Sequence, residues 1–142
     1  DPRGWRVAKC VFVADDENIA KRYAKTNSGP YGFYFSNLMR KLGGKGRIGL
    51  FAAYPNQPEN LITLEQSLET QVIAGTVNSV TDQILALREE IGSFGTLVYT
   101  GIDWADKNLG TRSMELMADK VMPMVNSALV SEDRELDAKL AV

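Results

Sequence analysis

Apolar residues along the chain gather in short runs that alternate with helical stripes. Three runs lie at residues 7–14, 71–75 and 96–100, and polar residues or glycine bound each of them. Runs of this length are typical of strands buried on both faces, as in a parallel sheet. Between them, apolar residues recur at steps of three and four, which predicts amphipathic helices. The order predicts an α/β fold with parallel strands and right-handed crossovers.

The predicted helices begin and end at recognisable capping residues. Asp15-Asp16 precedes the first helical stripe, and a second stripe runs over residues 31–42. Thr63 with Gln66 forms a capping-box pattern for a helix from about residue 64. A further helix is expected to start at Asn78 or Ser79, on the stripe from Val80 to Ile91, and to end at Gly92.

The last predicted helix runs from about Lys107 to Leu129, and Pro123 should kink it because proline lacks a backbone donor. Its expected buried stripe consists of Met114, Met117, Val121, Val125 and Ala128. Two segments have no sustained period. Residues 43–63 are interpreted as a long, partly mobile loop, and the charged tail over 130–142 is expected to fray.

Composition narrows the classes of function. The 142 residues suffice for one domain, and the net charge of -2 offers no basic face for nucleic acid. No apolar run reaches about 18 residues, so no membrane span is predicted. The single cysteine, Cys10, cannot form an internal disulfide, which favours a cytoplasmic setting. Because histidine is absent, no metal site is predicted and the commonest general base is missing.

One glycine-rich run departs from the phosphate-loop pattern. That pattern needs a strand before it, a helix after it, and Ser or Thr following its lysine. Gly43-Gly44-Lys45-Gly46 instead follows a predicted helix, and Gly46 follows the lysine. The run is therefore interpreted as a flexible helix stop.

Gly75 and Thr76 follow the second predicted strand and open a helix. Backbone N–H groups at such a helix N-terminus can hold an anion, and loops after the late strands of (β/α)8 barrels often bind phosphate. Two interpretations remain open. The pair is a candidate cofactor-binding site, or it is a tight turn in which Ser79 and Asp82 cap the helix.

Gly101-Ile102-Asp103-Trp104 follows the third predicted strand. This position is at the carboxyl edge of the sheet, where ligands bind in α/β folds. Asp103 and Trp104 are therefore candidate substrate-binding residues, one orienting a ligand and the other forming a pocket wall. The alternative is that Asp103 caps the final helix and Trp104 packs against it.

Three stretches together resemble the luciferase-like flavin-dependent monooxygenases. Ala74-Gly75-Thr76, with Val80 and Ile84-Leu85 on the next helix, resembles their late strand-turn-helix. Residues 114–123, MELMADKVMP, resemble their closing helix, where Val-Met-Pro is typical. Val7-Ala8-Lys9 through Asp15-Asp16 is similar to a late strand leading into a helix. The similarity covers most of residues 5–129.

The resemblance implies a (β/α)8 barrel that uses reduced flavin, FMN or alternatively a deazaflavin, with O2 to oxidise a small organic substrate. The cofactor would carry the chemistry while the protein orients the reactants. The 43–63 loop falls where luciferases carry a mobile active-site loop, which suits a lid that excludes water. Two departures affect the site: Val77 stands where the family often has Pro, and Ile102 where relatives have His. The resemblance also implies that most flavin contacts come from barrel strands that this chain lacks, so no catalytic residue is assigned.

The chain is too short to contain the whole barrel that the resemblance implies. A complete barrel takes about 250 residues, so residues 1–142 are expected to be a single C-terminal partial-barrel domain holding the last three strands. Its partner would be the missing N-terminal barrel half, or another copy through self-association. The absent initiator Met favours this hypothesis. Two alternatives are a non-catalytic α/β binding or interaction domain, and one half of a split barrel that needs a partner chain.

Overall fold

The computed structural model describes residues 1–140 and contains one parallel sheet of three strands. The strands are β1 (Arg6–Val13), β2 (Val72–Gly75) and β3 (Thr96–Thr100). β1 lies in the centre, with Cys10 opposite Val72 on one side and Arg6 opposite Thr96 on the other. The predicted strand positions and their parallel pairing are both confirmed. No helix within these residues has the length and apolar character needed to cross a membrane.

The helices lie between and after the strands. Their bounds are α1 (Glu17–Ala24), α2 (Pro30–Gly43), α3 (Leu64–Gln71), α4 (Val77–Ile91), α5 (Lys107–Leu116) and α6 (Met122–Leu140). Capping chemistry sets several of these bounds. Asp16 accepts backbone hydrogen bonds at the start of α1, and Thr63 does so at the start of α3. The second half of the expected capping box is absent, because the Gln66 side chain pairs with Gln57 instead.

Two apolar clusters cover the two faces of the sheet. On one face, Phe12 of β1 packs against residues of α1, α2 and α3, including Tyr23 and Tyr31. On the other face, Val11 and Val13 pack against α4, α5 and α6. Alternate residues of a strand point to opposite faces, so the apolar end of β1 contributes to both clusters. Val11 and Val13 in this end of the strand are both 0% exposed.

The arrangement differs from the expected arc of a barrel. The last strands of a barrel would follow chain order, with every helix outside the barrel. Here the order is β2-β1-β3 and helices cover both faces, which is the pattern of an open, doubly wound sheet. The α/β class is confirmed, whereas the partial-barrel arrangement stays a prediction that this strand order does not confirm.

The structure also differs from the prediction in the segments without a clear hydrophobic period. The expected 43–63 loop contains two short 3-10 helices, Ile48–Phe51 and Glu59–Leu61, and Phe51 is buried in the core. The tail expected to fray from residue 130 instead continues α6 to Leu140, and Arg3 pairs with Asp137. Residues 141 and 142 of that predicted tail lie outside the described residues.

The closing helix is interrupted rather than continuous. A π-helical turn, Met117–Val121, separates α5 from α6 just before Pro123. Pro123 has no N–H to donate to the preceding turn, and a wider turn relieves the clash of its ring with that turn. The predicted buried stripe holds at Met117, Val121 and Val125. It is wrong at Met114 and Ala128, which are exposed.

Candidate functional site

The candidate residues all lie at the carboxyl edge of the sheet. In a parallel sheet every strand ends at the same edge, so the turns after β1, β2 and β3 are neighbours there. Because β1 separates β2 from β3, Gly75 and Thr76 lie on one side of it, whereas Asp103 and Trp104 lie on the other. The strand order therefore produces two subsites rather than one.

A carboxylate of the chain itself lies at the first subsite. The Thr76 N–H, at the N-terminus of α4, donates to Oε2 of Glu17 at 3.0 Å. Gly75 has a φ of 154°, and a Cβ there would lie 2.5 Å from Oγ of Ser79 and 3.1 Å from Oε2 of Glu17. The residue at position 75 must therefore be glycine for this turn to form.

The helix after this turn is not capped by a side chain as expected. Thr76 is the N-cap residue of α4, and its side chain accepts no capping hydrogen bond. Ser79 is bonded to Nε2 of Gln83 at 3.1 Å instead. The expectation that Asn78, Ser79 or Asp82 caps α4 is wrong, and Glu17 supplies the carboxylate at that end.

A polar cavity of about 370 Å³ adjoins this turn, and its lining includes Glu17, Lys21, Lys25 and Glu69. Burial lowers the pKa of Lys25, while the nearby Glu69 raises it. The Lys25 ammonium donates to the carbonyls of Leu68, Glu69 and Val72. Lys25 therefore holds the end of α3 in place and is already fully bonded.

At the second subsite, the loop after β3 packs tightly on α5. A Cβ on Gly110 would lie 2.6 Å from Cβ of Asp103, so only glycine permits this approach. Ile102 is buried, and its carbonyl accepts a hydrogen bond from the Tyr23 hydroxyl at 2.6 Å. Ile102 therefore anchors the loop, and the side chain expected to be His in relatives is a core residue here.

The alternative that Asp103 caps the final helix and Trp104 packs against it is wrong. Asp106 is the N-cap of α5, because its Oδ1 accepts from the N–H groups of Asn108 and Leu109 at 3.0 Å. Asp103 does not cap that helix. Trp104 is 58% exposed, so it does not pack firmly against the helix either. Both residues are exposed.

A cavity of about 210 Å³ lies beside this loop, and Phe12, Tyr99, Ile102, Asp103 and Met114 contribute to its walls. The hydroxyls of Tyr99 and Ser113 are 2.9 Å apart. Burial raises the pKa of Tyr99, the hydrogen bond with Ser113 lowers it, and the Asp103 carboxylate raises it again. The net result is a pKa above the ordinary value of 10.0, so Tyr99 is a neutral phenol near pH 7.

Sequence reasoning missed Glu17, Tyr99 and Ser113. Tyr99 lies in a strand that the sequence predicts to be buried on both faces. No motif in the sequence links Ser113 to a hydrogen-bond partner. A polar residue on the inward side of a helical stripe was the available signal for Ser113. Cys10 of β1 is half-buried, and burial raises the pKa of its thiol.

The described residues fit a flavin only in part. A phosphate at Thr76 would have to displace the Glu17 carboxylate, which accepts from that N–H at 3.0 Å. Cofactor pockets commonly enclose about 300–1,000 Å³ lined mainly by apolar groups. The cavity near Thr76 is of that size but is polar, and the apolar one near Tyr99 is smaller. The two cavities among the described residues therefore do not form a complete flavin site.

Comparison with known proteins finds similarity to monooxygenases, and no family model matches. The 4-hydroxyprotoasukamycin monooxygenase of Streptomyces nodosus subsp. asukaensis is 39% identical over 57 residues, covering 40% of this chain and 15% of that protein. The second is a type II Baeyer-Villiger monooxygenase, the oxygenating constituent of 3,6-diketocamphane monooxygenase from the CAM plasmid of Pseudomonas putida, solved with FMN. It is 28% identical with a TM-score of 0.73, over 88% of this chain.

The chain matches only part of each relative's length. The chain spans 34% of the solved structure and 15% of the curated relative. Similarity of sequence and of fold points to the same kind of protein in both comparisons. At the family level, therefore, the chain is similar to flavin-dependent monooxygenases.

Proposed function

We propose that this chain is the C-terminal portion of a luciferase-like, flavin-dependent monooxygenase that oxidises a small organic substrate with reduced flavin and O2. One observation carries the proposal. The fold superposes over 88% of the chain, with a TM-score of 0.73, on a monooxygenase that binds FMN. FMN is the cofactor favoured on that basis, with a deazaflavin as the alternative.

Each subsite has a role in this proposal. Gly75 and Thr76 would approach the phosphate end of the flavin, and the phosphate would replace the Glu17 carboxylate that accepts from the Thr76 N–H. Asp103 and Trp104 would border the substrate, because both side chains project from the loop after β3 at the carboxyl edge. Most contacts to the flavin would come from the part of the relatives that this chain does not span.

In the complete protein, the proposal also includes the expected partial barrel. The three strands would then join the other barrel strands, and the chain alone would not turn over substrate. A missing barrel half, or another copy, would cover the open edges of the sheet. A cytoplasmic setting, with one cysteine and no disulfide, belongs to the same proposal.

A second candidate is a non-catalytic α/β binding or interaction domain, with a split-barrel half as its variant. The observation that favours it is the burial of both sheet faces by helices of the same chain. A sheet covered on both faces is the arrangement of a free-standing open α/β domain. The two candidates differ in whether flavin binds.

The test is to isolate the natural protein with an antibody raised against this segment, then measure its mass, flavin content and O2 uptake. A protein much heavier than 15.7 kDa, with bound or titratable FMN and substrate-dependent O2 uptake in the presence of a flavin reductase, supports the monooxygenase. A 15.7 kDa protein that binds no flavin supports the second candidate. Tight flavin binding and O2 uptake by the 142-residue chain alone would overturn the partial-enzyme proposal.

A further inference from the structure

The net charge of -2 is distributed unevenly along the chain. Residues 18–58 contain seven of the 16 Lys and Arg residues and none of the 18 Asp and Glu residues. This segment comprises most of α1, all of α2 and the 3-10 helix Ile48–Phe51. Positive charge is therefore concentrated in one continuous segment of an otherwise acidic chain.

Four of these cations lie together at the C-terminal end of α2. Arg40 and Lys41 are in its last turn. Lys45 and Arg47 follow in the turn that ends the helix, where the N–H of Arg47 donates to the carbonyl of Leu42 at 2.9 Å. All four cationic residues are exposed, and none of them takes part in an ion pair within residues 1–140. The helix dipole favours cations only within the last turn, so it does not account for Lys45 and Arg47.

Large apolar side chains are exposed beside these cations. Phe33 is 65% exposed and Leu50 is 64% exposed. On α2, the Asn37 amide donates to the Phe33 carbonyl and accepts from Arg40, both at 2.9 Å, so these three residues follow one face of the helix. The N–H of Leu50 donates to the carbonyl of Arg47 at 3.2 Å, within one turn. This α2 surface consists of Phe33, Arg40, Lys41, Lys45, Arg47 and Leu50.

The core beneath the α2 surface holds it in place. Phe51 is 4% exposed, and its ring packs edge-on against the ring of Phe35 on α2, with centroids 6.3 Å apart. Cδ1 of Ile48 lies 3.6 Å from the position of a Cβ on Gly43. The 3-10 helix is therefore packed against α2 through its buried residues, and Leu50 is exposed on a folded turn rather than on a loose one.

The composition of the α2 surface favours a lipid partner. Segments that bind to the interface of an anionic bilayer combine apolar side chains with Lys and Arg on the polar side. Anionic headgroups attract such cations, and the attraction falls off within a Debye length. A folded protein partner would need carboxylates fixed opposite the cations, whereas lipid headgroups can rearrange around four exposed, flexible side chains.

We propose that the α2 surface binds the surface of an anionic lipid bilayer, with its four cations on the headgroups and Phe33 and Leu50 in the interface. Binding of this kind is peripheral, since it uses exposed side chains and needs no membrane-crossing helix. It goes beyond the proposed monooxygenase function and does not depend on it.

The experiment floats the 142-residue chain with lipid vesicles in a density gradient. Vesicles of phosphatidylserine mixed with phosphatidylcholine provide an anionic surface, and vesicles of phosphatidylcholine alone provide a neutral one. The chain should float with the anionic vesicles and stay at the bottom with the neutral ones. Aggregated chain sinks, so self-association does not imitate binding. Added salt should release part of the bound chain, because ions screen exposed charges.

Charge variants locate the contact. Lys45→Glu combined with Arg47→Glu should weaken binding to anionic vesicles by about tenfold or more. The matched control combines Lys107→Glu with Lys120→Glu, which makes the same change in net charge at exposed residues of other elements. This control should bind nearly as tightly as the wild type.

An apolar variant tests insertion into the interface. Leu50→Ser should weaken binding to anionic vesicles about fivefold, because the side chain no longer enters an apolar environment. Ile91→Ser, at a residue 47% exposed on α4, is the control and should change binding little. All these substitutions are at exposed residues, so the circular dichroism spectra should match that of the wild type.

Three outcomes overturn the inference. The first is a wild-type chain that does not float with anionic vesicles, or that floats equally with neutral ones. The second is an equal loss in the two charge variants, which would mean that binding follows net charge. The third is tighter binding to poly-glutamate or to duplex DNA than to the vesicles at equal negative charge, which would assign the α2 surface to an acidic protein or to nucleic acid.

Discussion

At the scale of single residues, a buried serine links three elements. Oγ of Ser113 on α5 accepts from the Val13 N–H at 2.8 Å and contacts the Tyr99 hydroxyl at 2.9 Å. β1 and β3 pair along one edge, and Ser113 contacts both strands from the helix side. Because Ser113 is 0% exposed, water cannot replace these bonds.

Ser113→Ala should therefore lower the free energy of unfolding by about 1–3 kcal/mol, since the Val13 N–H is left buried without a partner. The measurement is the midpoint and slope of urea unfolding. Ser36→Ala is the control, because the Ser36 hydroxyl bonds to the Phe33 carbonyl at an exposed site. Equal losses in the two variants would contradict the role assigned to Ser113.

Val121→Asp should destabilise the protein by about 3 kcal/mol or more, because it buries an unpaired charge. Val121 is 0% exposed and packs in the cluster of α4, α5 and α6. Met124→Asp, at a residue 41% exposed, is the matched control and should change stability little. Coincident thermal melts of Val121→Asp and the parent would show that this face is not the buried one.

At the scale of elements, short polar and glycine signals fix where helices end. α4 ends at Gly92, whose φ of 89° is a conformation that residues with a Cβ rarely adopt. α2 ends at Gly43, where a Cβ would meet nothing nearer than 3.6 Å. The end of α4 therefore requires glycine, whereas the end of α2 does not.

Gly92→Ala should cost about 1 kcal/mol or more in the free energy of unfolding, through strain at the positive φ. Gly43→Ala should be neutral or slightly stabilising, because alanine favours the helix and fits the space. Chemical denaturation of both variants gives the comparison. A larger loss at Gly43 than at Gly92 would reverse this assignment.

An ion pair joins the turn after β1 to α5 and gives stability a pH dependence. Two hydrogen bonds from Arg112, at 2.8 and 2.9 Å, lower the pKa of Asp15 below its ordinary value of 3.8. A carboxyl whose pKa is depressed by folding contributes stability above the ordinary value and loses it as pH falls through the folded-state pKa.

The difference in unfolding midpoint between wild type and Asp15→Asn should therefore be constant from about pH 5 to pH 8 and shrink below about pH 4. Glu115→Gln, which removes the longer 3.5 Å pair with the same Arg112, should give a smaller difference. A gap that widens as the pH falls would contradict the sign.

At the scale of the whole molecule, the sheet is covered on both faces but open at its β3 edge. Within residues 1–140, β3 pairs with β1 alone. The strand reads Thr-Leu-Val-Tyr-Thr, without a charge or a proline, and Val98 is 42% exposed. Edges without charge or proline are prone to pair with another strand.

The chain should therefore self-associate as its concentration rises, with β3 as the contact. Val98→Lys should suppress that association, because a charge on an edge strand opposes pairing. Sedimentation velocity over a concentration series is the measurement. The control is Val130→Lys on the exposed side of α6, which should leave association unchanged. A wild type that stays monomeric throughout would contradict the prediction.

The sequence by itself determined the local elements of this protein. Apolar runs and helical stripes located all three strands and the main helices, and Gly92 marked the end of α4. These features depend on side-chain period and on backbone preferences of nearby residues, which are local. The resemblance to flavin-dependent monooxygenases also came from short stretches in order, and the similarity to known monooxygenases supports it at that level.

Only the tertiary structure decided the strand order β2-β1-β3 and the partners across it. Strand order depends on which edge a returning strand meets, and the period of a strand carries no information about its neighbours. The Glu17 to Thr76 bond and the Tyr99 to Ser113 contact join residues far apart in the chain. These contacts form only when the helices pack on the sheet. The sequence therefore indicated that the candidate residues lie at the carboxyl edge of the sheet, but not which side chains contact one another there.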